Sequence, residues 1–470
     1  MIRGTFLVLL LVGLVGATRV SAQQAAESEK NASAKEKLEA NQDAQEFGIW
    51  PQFRGVGASG IGSGNPPTEW DVEFGKNILW KRKLDGLGHS CPISVGGRVF
   101  LTTAVSESND ETVPTGFVGG SGESAIDSGN WRWQVAAFDL ETGVEIWRRT
   151  VVSGVPTIKR HLKATHANST PATDGKHVVA CFGSEGLYCL DMDGQLLWKK
   201  DFGKLHSGPY DAPKLEWGFA SSPIIHDDKV ILQCDCLNTG FVAVLDISDG
   251  SVILRIKRDD VATWSTPTII TTETETQLVC NGYRRMAGYD LASGERLWTL
   301  NGGGDVPVPA PLIANGQIFL SSGHGRSSAY AISPAARGDI TPRVIADALP
   351  DGLLWWEPRG GSYIPTPIIV GDFLYTCSDR GVLTTRDAQT GELVYQQRVG
   401  GQHSASAVAT EDHLYFSSED GTVFVVNTGP DFKVATSNSM QEPVFATPAI
   451  VGDRLLIRTT HHLFCIGTQD

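Results

Sequence analysis

Six side chains that could hold a ligand stand before successive short apolar phrases of the chain. They are three histidines, two tryptophans and a tyrosine, namely His89, His166, Trp217, Trp264, Tyr363 and His403. Turns further along the repeats carry arginines, among them Arg284, Arg326 and Arg380. Such groups, brought together, can bind a small polar ligand or a peptide. As separate loop residues they would only satisfy local hydrogen bonds, so their role depends on the fold that positions them.

Two histidine pairs could be considered as metal ligands. His461 and His462 are adjacent on a predicted strand and point to opposite faces, so they cannot easily bind one ion. We assign a structural role to this pair and to His161 and His166. The sequence contains no GxSxG, HExxH or glycine-rich phosphate-loop motif. We therefore predict no metal site and no catalytic residues.

Eight cysteines are spread singly through a chain long enough to build a core without disulfides. We expect most of them to be buried thiols. Cys181 and Cys189 flank one predicted hairpin and are the only plausible local disulfide.

The elements that must position these groups come from a repeat. A small residue and a proline precede an apolar pair, a polar turn and a β-rich run. The copies begin at Cys91, Thr170, Ser222, Thr266, Ala310, Thr366 and Thr447, with an eighth at Ser406 that lacks the proline. Most successive copies lie 40 to 56 residues apart. This period predicts the blades of a β-propeller, each built of short strands joined by Gly and Asp turns.

A second phrase follows in several copies, most fully from Ala137 to Trp147. Its Asp can cap a turn, its Gly supplies the positive φ of the return, and an aromatic residue follows on the outer strand. We expect these aromatic rings to wedge between neighbouring blades. They are Trp80, Trp147, Trp198, Trp298, Trp355 and Tyr395.

The last copy ends before an outer strand, and residues 78–82 offer a strand with a tryptophan at the expected place. We predict an all-β, eight-bladed propeller of four-stranded antiparallel blades over residues 78–470, with this N-terminal strand completing the last blade and closing the ring. Seven blades are the alternative, because the copy at 404–436 has a degenerate outer strand.

In a propeller, the loops that lead into the inner strands and the hairpins between second and third strands emerge on one face. The long insertions at 105–133, 151–165 and 202–219 favour the same face. The candidate ligand-binding residues should therefore converge there. The insertion at 333–348 should emerge on the opposite face.

The first residues indicate export. Arg3 precedes an apolar run from Phe6 to Ala17, and the stretch from Val20 to Ala22 offers small residues for cleavage before Gln23. Residues 1–22 are predicted to be a cleaved signal peptide, with a retained anchor as the alternative. Residues 23–48 are predicted to be a disordered polar tether, or else a short surface helix, and 49–77 an N-terminal extension. We expect a periplasmic or cell-surface protein, or a secreted one.

The charge balance limits the partners. With 39 basic and 53 acidic residues the net charge is −14, which argues against nucleic acid and against an anionic membrane surface. We expect a monomer that associates with the envelope without a transmembrane helix.

The phrase from Ala137 to Trp147 resembles the tryptophan-docking motif of quinoprotein alcohol dehydrogenases and of their non-enzymatic propeller relatives, including the BamB-type assembly factor. The resemblance covers about residues 78–466. The opening stretch from Trp50 to Gly55 resembles the start of exported PQQ-like repeat proteins from planctomycete-type bacteria.

The quinoprotein enzymes carry adjacent cysteines, acidic and amide ligands for Ca²⁺ and a catalytic aspartate. This sequence has no Cys-Cys pair and no CxxCH haem site, so the resemblance implies the fold more than the chemistry. We predict a non-catalytic binding or scaffold module that takes a protein or small polar ligand on its loop-rich face, with no cofactor. The alternative is a divergent oxidoreductase that holds PQQ and Ca²⁺ on that face.

Overall fold

The computed structural model describes residues 48–108, 112–117, 122–237, 239–325, 327–343 and 348–469, which form one compact unit beginning at Gly48. The predicted signal peptide, nearly all of the tether and Arg326 lie outside the described residues. No helix within these ranges is long and apolar enough to cross a membrane.

Eight sheets make up the fold, each with four antiparallel strands, so the eight-bladed prediction is confirmed and the seven-bladed alternative is wrong. The strands of blades 1 to 4, from the inner strand outward, are β2 to β5 (Ile93–Val95, Arg98–Ser106, Trp131–Asp139, Glu145–Gly154), β6 to β9 (Ala172–Thr173, His177–Cys181, Leu187–Asp191, Leu196–Lys200), β10 to β13 (Ile224–His226, Lys229–Cys234, Gly240–Asp246, Val252–Arg258) and β14 to β17 (Thr268–Thr271, Thr276–Cys280, Arg285–Asp290, Arg296–Asn301).

Blades 5 to 8 follow the same order. Their strands are β18, β19, β20 and β22 (Leu312–Ala314, Gln317–Ser321, Ala329–Ile332, Leu353–Glu357), β23 to β26 (Ile368–Val370, Phe373–Cys377, Val382–Asp387, Leu393–Arg398), β27 to β30 (Val408–Ala409, His413–Ser417, Thr422–Asn427, Val434–Ser439), and β31, β32, β33 and β1 (Ala449–Val451, Arg454–Arg458, His462–Ile466, Ile78–Lys83). Two 3₁₀ turns occupy Val56–Ala58 and Gly183–Glu185.

The first strand in the described part of the chain is the outer strand of the last blade. β1 pairs antiparallel with β33, with Trp80 opposite Cys465 and Lys83 opposite His462. A β-bulge between Ile78 and Trp80 shifts the register at the start of the pair. The sheet that contains the end of the chain therefore also contains its first strand.

The hydrophobic core lies between blades. Inner strands of neighbouring blades contact one another around the axis, and each apolar cluster draws side chains from adjacent sheets. Val179 of blade 2 and Leu232 of blade 3, for example, are fully buried in one cluster. Outer strands are much more exposed, because only their inward-facing side chains meet a neighbour. Each sheet thus covers the next, as the repeat requires.

The insertion after β20 contributes a strand of its own to the neighbouring blade. β21 (Gly338–Asp339) pairs in parallel with β17, with Gly338 opposite Trp298. Blade 4 is therefore five-stranded, whereas we predicted four strands in every blade. A segment of one repeat that crosses to another sheet leaves no periodic signal in the sequence.

Residues 50–64, which we call the strap, cross one end of the propeller axis. Trp50 and Ser94 exchange two backbone hydrogen bonds of 2.8 Å in blade 1. The N–H of Thr173 in blade 2 donates to Pro51, and the N–H of Gly62 donates to Ala409 in blade 7, each at 2.8 Å. The strap thereby links blades that are distant in the chain.

Candidate functional site

A ring of hydrogen bonds surrounds the axis and explains the small residue that begins each repeat. The backbone N–H at this position donates to the hydroxyl at the same position of the next blade, over 2.9 to 3.0 Å. The pairs are Cys91 to Thr170, Thr170 to Ser222, Ser222 to Thr266, Ala310 to Thr366, Thr366 to Ser406 and Ser406 to Thr447. We call these eight positions the hydroxyl ring. Only a small polar side chain satisfies a buried N–H in this crowded space.

Two members of the hydroxyl ring have no hydroxyl. Ala310 occupies the position in blade 5 and Cys91 the position in blade 1. Burial raises the pKa of the Cys91 thiol, against hydrogen bonds from Thr170 and Thr447 that act to lower it. The thiol therefore occupies the ring as a weakly polar, protonated group.

A cavity of about 290 Å³, which we call the cup, opens above the ring on the loop-rich face. The ring members other than Ala310 line it. The remaining lining residues are Phe53, His89, His161, Lys163, Ala164, Asn168, Trp217, Ala220, Trp264, Val306, Val308, Tyr363, Ile364, Ser404 and Phe445. Apolar surface thus dominates, with a few polar groups among it, as in ligand sites.

The strap closes the base of the cup. Its backbone partners Ser94, Thr173 and Ala409 each lie three residues beyond a ring member along the inner strand. The strap is therefore on the far side of the hydroxyl ring from the loops. From there it contributes Phe53 to the lining, which makes the cup a closed basin at this end.

Aromatic contacts build the wall. His89 stacks on Phe445, with ring centroids 4.8 Å apart and planes at 17°. Trp217 meets His161 edge-on at 5.2 Å and lies 5.8 Å from Trp264. The indole of Trp264 donates through Nε1 to the carbonyl oxygen of Gly218 at 2.8 Å. These contacts hold the rings in place before any ligand arrives.

The imidazoles of the wall are neutral at pH 7. Burial, together with the charges of Arg458, Arg160 and Lys163, lowers the pKa of His89 to about 3. Burial, with Lys163 and Arg160 nearby, lowers the pKa of His161 to about 4. The wall therefore offers uncharged ring nitrogens to a ligand.

One ion pair lies at the edge of the cup. Lys163 Nζ is 2.5 Å from Glu419 Oε1 and also donates to the carbonyl oxygen of Gly116 at 3.1 Å. The same carboxylate accepts from the hydroxyl of Ser404 at 2.5 Å. This pair joins the loop insertion of blade 1 to a hairpin of blade 7.

Four of the predicted ligand-binding residues meet in the cup, namely His89, Trp217, Trp264 and Tyr363. Burial, with Asp379 and Asp305, raises the pKa of Tyr363 to about 12, so its phenol stays protonated.

The other predicted residues lie elsewhere. His166 is buried with its Nε2 2.8 Å from Asp127, a carboxylate that also binds Arg160. His403 is 1% exposed, and its two ring nitrogens lie 3.0 and 2.8 Å from the carbonyl oxygens of Ser417 and Gly400. These two histidines hold loops together rather than facing the cup.

Two of the predicted arginines, Arg284 and Arg380, do not line the cup. Arg284 is exposed and lies 5.5 Å over the ring of Tyr210, and Arg380 is exposed on its hairpin. Arg326 is outside the described residues. The hairpins project beyond the inner strands, so residues at their tips stand away from the axis.

Sequence reasoning missed Phe53, Lys163 and Phe445 as lining residues. A fixed offset would have found part of the site, because the second residue before each ring position lines the cup in all eight blades. These residues are His89, Asn168, Ala220, Trp264, Val308, Ile364, Ser404 and Phe445. Residue type alone does not show this pattern, because the eight residues share a position and not a chemistry.

The docking aromatics bind the turn of the next blade. Four indoles donate to the carbonyl oxygen of the residue after the turn Asp, at 2.7 to 2.9 Å: Trp80 to Leu140, Trp147 to Met192, Trp198 to Ile247 and Trp355 to Ala388. Trp298 instead donates to Gln277 of its own blade at 3.2 Å. The insertion at 333–348 takes the place of the blade 5 turn that the Trp298 indole would otherwise meet. Tyr395 contacts Phe432 of blade 7 at 5.8 Å.

All eight cysteines are buried free thiols, Cys181 and Cys189 included. Within the described ranges, no group of three or more His, Cys, Asp or Glu side chains could hold a metal ion.

Comparison with known proteins gives one family. The family model described as outer membrane protein assembly factor BamB matches residues 131–348 and 342–464. The BamB of Burkholderia pseudomallei is 30% identical over 101 residues, which are 22% of this chain and only 26% of that protein. The BamB of Shewanella oneidensis is 19% identical over 305 residues, covering 62% of this chain and 72% of that protein.

Solved structures share the fold. BamB from Moraxella catarrhalis aligns with a TM-score of 0.56 at 14% identity, covering 83% of this chain and 97% of that one. A europium-containing methanol dehydrogenase gives 0.64 at 11% identity, with coverage of 91% and 100%. The quinohemoprotein alcohol dehydrogenase of Comamonas testosteroni gives 0.62 at 11%, with coverage of 90% and 81%. At these identities the likeness concerns the fold alone.

Proposed function

Because this chain belongs to the family described as outer membrane protein assembly factor BamB, we propose that it is a non-catalytic binding module of the cell envelope. Its binding site is the cup, and its ligand is an apolar group presented by a polypeptide. The family description supports a protein partner. The site itself supports an apolar anchor, because aromatic residues cluster at interface hot spots and receive such groups.

The observation that carries the proposal is the preformed aromatic basin. Phe445, Trp217 and Trp264 are fixed by stacking and by hydrogen bonds to backbone, so little side-chain freedom is lost on binding. The basin is closed below by Phe53 and open on the loop-rich face. Insertions beside its opening expose Phe117 and Ile126, which are 81% and 90% exposed. Such exposed apolar residues suit contact with a partner chain.

Titration of intrinsic fluorescence tests this function, because two tryptophans line the cup. The probes are acetylated Gly-Gly-Phe peptides, one with a free C-terminus and one amidated. We expect at least one of them to bind, and Trp264→Ala and Phe445→Ala each to weaken binding by about tenfold or more.

The matched control is Phe74→Ala, which removes an aromatic ring that is 82% exposed and does not line the cup. Its affinity should equal that of the unmodified protein. If neither peptide binds, or if Phe74→Ala weakens binding as much as Phe445→Ala, the cup is not the binding site.

A PQQ-dependent oxidoreductase is the alternative function, and the lining does not fit its cofactor. Among the residues that the structure describes, the lining of the cup includes no carboxylate that could bind Ca²⁺. An absorbance spectrum recorded after adding PQQ and Ca²⁺ tests the alternative. A bound chromophore, lost in Trp264→Ala, would favour the oxidoreductase over the binding module.

A location in the periplasm or at the cell surface forms part of the proposal, as does a monomeric state. The predicted signal peptide and the envelope role named by the family description support this location. Cell fractionation with an antibody tests it, and recovery in the cytoplasm would contradict it.

A further inference from the structure

Two buried arginines that have no carboxylate partner in the described part of the chain flank the cup. Arg54 is fully buried and donates only to carbonyl oxygens, those of Ala58, Ser59, Thr366, Pro367 and Ala407. Arg458 is 1% exposed and donates through Nη1 to Ser90 and Thr102. Its Nε and Nη2 have no acceptor among the described residues. Buried charges are normally paired, so these two leave positive charge uncompensated.

Both arginines lie directly behind the lining. Arg54 follows Phe53, which forms the base of the cup. Arg458 binds Ser90, which lies between the lining residues His89 and Cys91. The positive potential therefore acts on the base and on one side of the cup.

No described residue of the lining cancels this potential, because the lining that the structure describes includes neither Asp nor Glu. Lys163 is neutralised by Glu419, and Arg160 by Asp127, so these pairs contribute little net charge. In an apolar basin shielded from water, the field of two unpaired cations is stronger than at the surface. A protein with a net charge of −14 thus has an electropositive binding site.

The hydroxyl ring supplies donors for an anion. Ser222, Thr266 and Thr366 each accept a backbone N–H through the hydroxyl oxygen. A hydroxyl that accepts in this way keeps its own proton for another acceptor. Hydrogen bonds to a carboxylate are stronger than those to a neutral group. The base of the cup therefore suits an anionic oxygen, whereas the wall suits an apolar side chain.

The size of the cup restricts which anionic ligands fit into it. The cup volume of about 290 Å³ is at the lower limit of ligand pockets, which span roughly 300 to 1,000 Å³. It accommodates one residue-sized group, and the opening lets a chain continue outward past the exposed loops. A group that joins one apolar side chain, one carboxylate and one outgoing chain is the last residue of a polypeptide.

We propose that the cup receives the C-terminal residue of a partner polypeptide, with its apolar side chain against the aromatic wall and its terminal carboxylate at the base, in the field of Arg54 and Arg458. This inference rests on the proposed function and specifies its ligand.

The test compares the free-acid and amidated forms of acetylated Gly-Gly-Phe, titrated against the full chain by tryptophan fluorescence. We expect the acid to bind about tenfold or more tightly than the amide. Glu419→Gln removes the counter-charge of Lys163 and should increase the preference for the acid. Arg458→Met should reduce it. The comparison within the unmodified protein does not depend on whether that variant folds.

Each outcome decides a different point. Equal binding of acid and amide would overturn the C-terminal proposal and leave the cup as a binding site. Binding of neither peptide would overturn both. Octanoate serves as a chain-free carboxylate, and if it bound more tightly than the peptide acid, the ligand would be a free acid and the polypeptide assignment would be wrong.

Discussion

The guanidinium of Arg54 donates through Nη2 to the carbonyl oxygen of Pro367 at 2.9 Å, across 313 residues of chain. This bond ties the strap to the residue that leads into the inner strand of blade 6. The same side chain reaches Ala407 of blade 7 at 3.0 Å. One arginine behind the base of the cup thus joins two blades around the axis.

Replacing this arginine should destabilise the propeller. In Arg54→Met the carbonyl oxygens of Thr366, Pro367 and Ala407 lose a donor in a buried site. This loss outweighs the stability gained because the variant no longer buries a charge. We expect the free energy of unfolding to fall by about 2 to 4 kcal/mol. Thermal unfolding measures the effect. Arg296→Met, on an exposed outer strand, is the control, and an equal loss there would contradict the prediction.

The hydroxyl ring can be completed. Ala310→Ser adds the missing hydroxyl of blade 5, where the N–H of Thr266 is the expected donor. We predict a gain of about 1 kcal/mol in stability. Conversely, Thr366→Val removes the acceptor of the Ala310 N–H and should cost about 1 to 3 kcal/mol. Thermal scans of both variants check the pair, and a loss of stability in Ala310→Ser would show that the ring has no room for the hydroxyl.

Two Gly→Ala substitutions separate the steric cost of contact with a docking aromatic from the backbone cost of a positive φ. Gly194 and Gly316 both have a positive φ, of 80° and 71°. A Cβ on Gly194 would lie 2.7 Å from the Trp147 ring, whereas a Cβ on Gly316 would meet nothing within 4 Å. Gly316→Ala should cost only the backbone penalty of about 1 to 2 kcal/mol. Gly194→Ala should cost at least about 1 kcal/mol more, since the ring must move. Equal unfolding temperatures for the two variants would show that the Trp147 ring can move aside without a loss of stability.

Acid should destabilise the protein through the cup histidines. The folded pKa of His89, about 3, and of His161, about 4, lie below the ordinary value of 6.5. Between these values the unfolded chain binds protons that the folded protein does not, so stability falls as the pH falls from 7 towards 4. His89→Phe keeps a ring against Phe445 and removes one such group. Its unfolding temperature should decrease less than that of the unmodified protein between pH 7 and pH 5, and an identical decrease would contradict the assignment.

The repeat and its strands could be predicted because their causes are local. Alternating side chains, Gly and Asp turns and the phrase ending in Trp147 recur along the chain, and each acts within a few residues. Trp298 packs between blades 4 and 5, as expected, but its indole hydrogen bond to Gln277 of its own blade could not be predicted. Its partner turn is displaced by the insertion that forms β21, and pairing between separate segments leaves no trace in periodicity.

The candidate site was only partly predictable because it is assembled from all eight blades and the strap. The sequence by itself determined the eight repeats, the small residue at each ring position and the aromatic residues near the axis. Only the tertiary structure decided that the strap seals the base with Phe53 and that His166 and His403 turn away from the cup. It also decided that Arg54 and Arg458, beside the cup, meet no carboxylate among the described residues. The physical reason is that burial and charge pairing depend on which residues meet across the ring, and those residues lie hundreds of positions apart.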